Sequence, residues 1–476
     1  MKRKFLHDIS LNTLQVIIVQ SCGLVIFYLL SIRLNKTDFG EINWALAVLL
    51  TVFGILAFGI DQVAVRRIAS GSDPGQLLTT YVTHVLSAGC LFYIILWIAS
   101  IIFPSFFVQH QTLLLLGIGK LMIFFSTPFK QLATGLEKFR SLLIIAITSN
   151  VMRAIALIVF DSMNLLNMQV IIIIFIAGDL AELLVSLFIM QRILKVPLKL
   201  KWNKSRYINL VKEAFPQFGV AIFTSALSRL DWIFLGILST NVILAEYSFA
   251  YKVFEMATLP MLVIAPILIP RFTKMFHNET QKISADKTKD MFVLLRLEII
   301  IASLVALALN ILWVPIIDLI TDHKYGLVNK TTILLLSASM PFLYLNNFLW
   351  TINFAKGGLK MIFYIFLISF LFNLAGDIIL IPFFNAEGAA IAYLIAIIVQ
   401  SVVYLKKTEL ENLQKRSVGL LLCPLAAIMS GILTTILFNE WWINILMAPA
   451  FYILLLYLTR QIRLTDWPAF KRITHL

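Results

Sequence analysis

Five basic residues interrupt stretches that otherwise carry almost no charge: Lys120, Arg153, Arg229, Lys252 and Arg296. Five carboxylates, Asp179, Glu182, Asp231, Glu255 and Asp377, lie in stretches of the same kind. A charged side chain at mid-membrane costs about 3 kcal/mol on insertion scales, so each of these groups needs a partner, water or a visiting ligand. Lysine and arginine held in such a place can replace the hydration of a desolvated anion, arginine by binding two oxygens at once. A buried carboxylate can take up and release a proton or bind a sodium ion, because burial favours its neutral form. The alternative is that the two sets pair with each other and lock helices together.

Spacing sorts the candidates. Asp179 and Glu182 are three apart and share a helix face, as do Lys252 and Glu255; Asn373 and Asp377, four apart, share one too. Arg229 and Asp231, two apart in SALSRLDWIFLGIL, point about 200° away from each other on a continuous helix and cannot pair directly. At 1.5 Å per residue, Lys120, Arg153, Arg229 and Lys252 all fall roughly 10–13 Å beneath one surface. These four are the candidate cationic binding residues. Arg296, beside Glu298 and about one turn from a span end, is expected to snorkel to the headgroups.

The elements that must position them follow from composition. The chain has 476 residues, 60% hydrophobic and 13% charged, against about 25% charged in soluble domains. No soluble core hides that much apolar surface, so the solvent is a bilayer. Spans of about 20 apolar residues fall near 12–33, 41–61, 80–103, 112–133, 141–160, 168–190, 214–237, 244–269, 291–314, 331–354, 361–383, 387–405, 418–438 and 442–460. The expected fold is therefore all-α and polytopic, with about fourteen transmembrane helices. The basic N-terminus is the start of the first retained span, since no small-residue cleavage site follows. The net charge of +14 reflects loop placement rather than nucleic acid. With these spans only Arg33, Lys36, Lys324 and Lys330 fall on the side opposite the other loop cations, which places both termini in the cytoplasm.

FGEINWALAV (39–48) and LAEYSFAYKV (244–253) open the second and eighth spans in the same way, so spans 1–6 and 7–12 match in order and direction. The expected organisation is a six-helix lobe over 1–190, a basic cytoplasmic linker over 191–213, a second six-helix lobe over 214–405, and an added helix pair over 418–460. Parallel repeats of this kind are a transporter architecture. Pro216, Pro260 and Pro266 are candidate hinges, and Trp232, Tyr247, Tyr251 and Trp350 lie near the charged layer. Cys22, Cys90 and Cys423 sit within apolar spans and imply no disulfide framework. The sequence has no CxxC, HExxH, GxSxG or GxxxxGK[ST] motif and no metal-spaced histidines. Neither catalysis nor a cofactor is expected.

Several stretches together resemble one family: LNKTDFGEINWA (34–45) with FGIDQVAVRRIA (58–69), EAFPQFGVAIFTSALSRLDWIFLG (213–236) followed by AEYSFAYKV (245–253), LPMLVIAPILIPRF (259–272) and NLAGDIILIPFFNAEGAAIAYLIA (373–396). Their order and spacing resemble the polysaccharide-transport branch of the multidrug/oligosaccharidyl-lipid/polysaccharide (MOP) exporters, the Wzx-type flippases. The resemblance implies a translocase that moves polyprenyl-pyrophosphate-linked oligosaccharide, an O-antigen or other surface-polysaccharide repeat unit, from the cytoplasmic to the periplasmic leaflet of a bacterial inner membrane. It implies two lobes around a central cavity working by alternating access, with a proton or sodium ion as coupling partner and contact with the polymerase machinery. A multidrug exporter of the same superfamily is the alternative; the cationic layer favours an anionic cargo over the cations such exporters usually carry. An integral-membrane glycan polymerase or glycosyltransferase is disfavoured, because no outer loop is long enough for a catalytic surface.

Overall fold

The apolar runs are helical, as a bilayer demands: without water to satisfy peptide groups, a lone segment closes its hydrogen bonds only within itself. The computed structural model describes residues 2–197, 203–227, 229–261, 268, 272–273, 285–408 and 418–462, and among these there is no strand. In the first half the helices are α1 (Lys2–Arg33), α2 (Lys36–Leu56), α3 (Ile60–Ala69), α4 (Pro74–Ile102), α5 (Pro104–Gln109), α6 (Gln111–Gly135), α7 (Phe139–Ser162) and α8 (Met168–Phe188). They continue as α9 (Lys204–Leu227), α10 (Leu230–Leu238), α11 (Asn241–Ala257), α12 (Ala285–Thr321), α13 (Lys330–Ala338), α14 (Met340–Ala355), α15 (Leu359–Lys407), α16 (Leu422–Leu437) and α17 (Trp441–Leu458).

Local chemistry sets the ends. The Asn35 side chain accepts from the Asp38 N–H at 2.8 Å to open α2, and Asn167 accepts from Val170 N–H at 2.9 Å to open α8. Asp73 caps α4 just before Pro74. Between α2 and α3 the chain turns at Phe58 and Gly59, both left-handed at φ 53° and 68°, a conformation glycine adopts freely.

Among the described residues eleven helices are long and apolar enough to cross a membrane. One of them, α15, is 49 residues long and bends at Asn385, so it accommodates two of the expected spans. The spans expected at 214–237 and 244–269 differ from the sequence reading. The first is interrupted between Leu227 and Leu230, giving α9 and α10, and part of the second lies outside the described residues. The outward face of α4 exposes Leu91, Ile94, Ile95, Trp97, Ile98, Ile101 and Ile102, which suits acyl chains rather than water. The chain is a multi-pass membrane protein.

Two compact units emerge: residues 1–236 with 240–245, and residues 237–239 with 246–476. They part at Gly236, beyond the expected 191–213 linker, of which 198–202 lie outside the described residues. The reason is that α9 and α10 are anchored to the first unit. Glu213 of α9 takes both Arg66 and Arg67 of α3, with Arg67 Nε donating at 2.9 Å. Tyr207 hydroxyl bonds His84 Nδ1 of α4 at 3.0 Å, while His84 Nε2 donates to the Leu56 carbonyl at 2.9 Å. Gly236 leaves the space that the Trp44 ring fills, and Trp44 Nε1 donates to the Ile233 carbonyl at 3.3 Å. In the second unit α12, α14, α15, α16 and α17 share an apolar core that includes Leu295, Ile299, Phe348, Ile365, Tyr404, Cys423 and Tyr452.

Candidate functional site

In the first unit α6, α7 and α8 pack together and bring four of the nine candidate residues into one buried cluster. Asp179 sits on the inner face of α8, 1% exposed. Lys120 of α6 donates to its Oδ2 at 3.1 Å, and Arg153 of α7 pairs with Oδ1. One turn earlier on the same face, Phe175 lies under both cations, 4.8 Å from the Arg153 guanidinium and 5.8 Å from Lys120 Nζ. Lys120 and Arg153 thus reach the same carboxylate, as their equal depth along the sequence anticipates.

One turn further along α8, Glu182 accepts from Lys130 Nζ at 2.8 Å, from Ser126 hydroxyl at 3.1 Å, and from Ser149 hydroxyl. The i, i+3 spacing of Asp179 and Glu182 places them side by side. Two glycines make the fit possible. A Cβ on Gly119 would stand 2.6 Å from Asp179 Oδ2, and one on Gly178 would stand 2.8 Å from Arg153 Cγ. The cluster holds three cations, Lys120, Lys130 and Arg153, against two carboxylates. Lys130 is not among the five basic residues that the sequence singles out; Ser126, Lys130 and Ser149 meet one carboxylate across three helices, which spacing along the chain does not reveal.

Arg229 is not on a continuous helix. It lies in the turn between α9 and α10, half-buried, with its guanidinium 4.7 Å from the Trp232 ring centroid. The expectation that helical geometry sets the angle between Arg229 and Asp231 is corrected accordingly. Asp231 occupies the first turn of α10, where a carboxylate meets the positive end of the helix dipole; it is 2% exposed and accepts from Trp232 N–H at 3.0 Å. Among the described residues no carboxylate forms an ion pair with Arg229, and nothing joins it to the α6–α7–α8 cluster.

In the second unit Lys252 Nζ donates to Glu255 at 2.7 Å along α11, both side chains partly exposed. Asp377 is fully buried in α15 and accepts from Asn373 at 2.8 Å, so both face-sharing pairs expected here are formed. Arg296 does not snorkel. It is 6% exposed, packed over Phe292 at 5.8 Å, because α12 is covered by α14, α16 and α17 at that level. Arg66 and Arg67 of α3 both pair with Glu213 of α9. The two guanidinium groups, Arg67 first, hold the Glu213 carboxyl below its ordinary range.

A family profile described as "Polysaccharide biosynthesis protein" matches residues 5–276. Among solved structures the chain is similar to a lipid II flippase, MurJ, in an inward closed conformation, with TM-score 0.73, 16% identity, and coverage of 93% of this chain and 97% of that one. It is similar also to an inward-facing multidrug resistance MATE family transporter of the MOP superfamily, with TM-score 0.66, 13% identity and coverage of 83% and 95%. A third is a MOP superfamily transporter from Pyrococcus furiosus whose binding pocket is described as reversed in polarity, with TM-score 0.57, 12% identity and coverage of 87% and 96%. No curated protein sequence matches the chain. The fold is that of the MOP exporters.

Proposed function

Because the chain belongs to the polysaccharide biosynthesis protein family, we propose that it is a flippase for polyprenyl-pyrophosphate-linked oligosaccharide. It carries the repeat unit of an O-antigen or other surface polysaccharide from the cytoplasmic to the periplasmic leaflet of a bacterial inner membrane. Alternating access moves the cargo, and an ion gradient drives it. A ligand shifts such a cycle only by binding its two states differently, so the head-group residues must be cations available to a desolvated diphosphate.

Arg229 carries this reading. It stands at a break between two apolar helices, half-buried, resting on Trp232 and without an ion-pair partner among the described residues. An arginine so placed is a ready ligand for two phosphate oxygens. Lys252, tethered among the described residues to a partly exposed Glu255, is a second candidate ligand. Lys120 and Arg153 become available to an anion when it displaces Asp179; in this conformation that carboxylate occupies them both. Glu182 and Glu255 serve as charge partners that keep Lys130 and Lys252 oriented.

Depletion of the protein in its own cell tests the reading. We expect lipid-linked oligosaccharide to accumulate unflipped on the cytoplasmic leaflet. Drug hypersensitivity without that accumulation would instead identify a multidrug exporter.

A further inference from the structure

Seven carboxyl side chains are buried among the described residues: Asp179, Glu182, Asp231, Glu246, Glu298, Asp318 and Asp377. Six have partners. Asp179 and Glu182 hold cations, Asp231 and Asp377 accept from Trp232 N–H and Asn373, Asp318 accepts from Gly326 N–H at 2.7 Å, and Glu246 has polar company of its own. Glu298 is the exception. It is 3% exposed, and neither of its carboxyl oxygens has a hydrogen-bond partner. It sits in α12 between Leu295 and Ile299, both members of the second unit's apolar core.

Among the described residues no cation pairs with it. Tyr344 of α14 is the titratable group in electrostatic contact with it. Arg296, two residues back on the same helix, points about 200° away, lies over Phe292 and acts on Cys423 of α16. Tyr452 of α17 donates to the Ile300 carbonyl at 3.2 Å, and α15 contributes Tyr404 to the same core. α13 meets α12 at Asn310, where Ser337 lies 2.7 Å away, some 18 Å further along the helix at 1.5 Å per residue. A carboxylate with neither cation nor donor is not sustained in such a place, whereas a neutral carboxyl is.

We propose that Glu298 is a proton-binding site: it carries a proton in this conformation and releases it to water when the helices around α12 part, coupling transport to the proton gradient. The carboxyl O–H bond breaks, the proton passes to water, and the carboxylate left behind is solvated only while water reaches it. A hard cation such as sodium needs a cage of several oxygens, and among the described residues Glu298 has no such cage; a proton needs one oxygen. The energy-coupling part rests on the transport reading above. The choice of residue is independent of it: Asp179 and Glu182 hold fixed cations, whereas among the described residues Glu298 holds none.

The test uses the full chain in phosphatidylethanolamine–phosphatidylglycerol vesicles, as wild type, Glu298→Gln and Glu298→Asp. Infrared difference spectra are taken across about pH 5 to 9, the range into which burial moves a glutamate. We expect wild type to show a protonated-carboxyl C=O band at neutral pH that titrates above it; the band is absent in Glu298→Gln and shifted in Glu298→Asp. Spectra of wild type and Glu298→Gln that superimpose would overturn the proposal. In vesicles loaded with a pH dye, an imposed pH gradient should accelerate cargo movement by wild type and, in part, by Glu298→Asp, and the acceleration should be lost in Glu298→Gln. A Glu298→Gln protein that responds like wild type would also overturn it. If wild type moves no lipid-linked cargo, the flippase reading fails, and the infrared titration still decides whether Glu298 holds the proton.

Discussion

Replacing Asp179 with asparagine keeps the volume of the side chain and removes its charge, leaving Lys120 and Arg153 buried without a counter-ion. The two cations are only 8% and 7% exposed, so solvent screens them little. Removing one partner of a buried ion pair costs about 3–5 kcal/mol. Arg153 keeps its contact with Phe175 at 4.8 Å in both proteins, so that contact does not offset the loss. At the lower end of that range the expected loss is about 3 kcal/mol, which for a unit of this size lowers the melting temperature by roughly 6–12 °C. The assay is thermal unfolding in detergent, followed by thiol-dye labelling of buried Cys423 and by tryptophan fluorescence. Adding Lys120→Met to Asp179→Asn removes one of the stranded charges and should recover about half of the loss. If Asp179→Asn melts within about 2 °C of wild type, or the double variant is no more stable than the single, the two cations are not held by Asp179.

Four further outcomes are expected. Arg229→Ala abolishes complementation of a transport-deficient strain while insertion and expression persist, and Arg229→Lys restores part of it; normal complementation by Arg229→Ala would remove the best head-group ligand. Lys252→Glu is worse than Lys252→Ala in the same assay if the cargo is anionic, whereas equal effects would point to packing. Gly119→Ala drives a methyl to 2.6 Å of Asp179 Oδ2 and should cost about 1–3 kcal/mol, read as a lower melting temperature. The Glu213 carboxyl is held low by Arg67 and Arg66, so its contribution to the α3–α9 contact is present above the ordinary carboxylate range and lost as pH falls through its lowered value. Amide hydrogen exchange in α9 should rise there, and Arg67→Ala should move that rise to higher pH.

The class of fold was legible because apolar run length and loop charge report directly on the bilayer. Asp73–Pro74 and the left-handed Gly59 are local signals that place helix ends several residues from where hydropathy alone puts them. No proline or glycine marks the turn at Arg229, so the sequence alone predicts a continuous helix there. The i, i+3 pairing of Asp179 with Glu182 and of Lys252 with Glu255 could be read within one helix. Which cation meets which carboxylate across α6, α7 and α8 could not, since that depends on rotation of packed helices about their axes. Lys130 and Glu298 show the limit most clearly: the first counts by position with the loop cations and pairs in the cluster, and the second lies beside Arg296 in sequence yet sits among the apolar core residues.

The central claim is that cargo movement requires a cation at Arg229. Purified protein in liposomes, supplied with polyprenyl-pyrophosphate-linked oligosaccharide on one leaflet and probed with a membrane-impermeant glycosidase on the other, measures it directly. Wild type should render the glycan accessible on the far side, and Arg229→Ala, equally well reconstituted, should not. Equal exposure of the glycan by both proteins, or none by wild type, would contradict it.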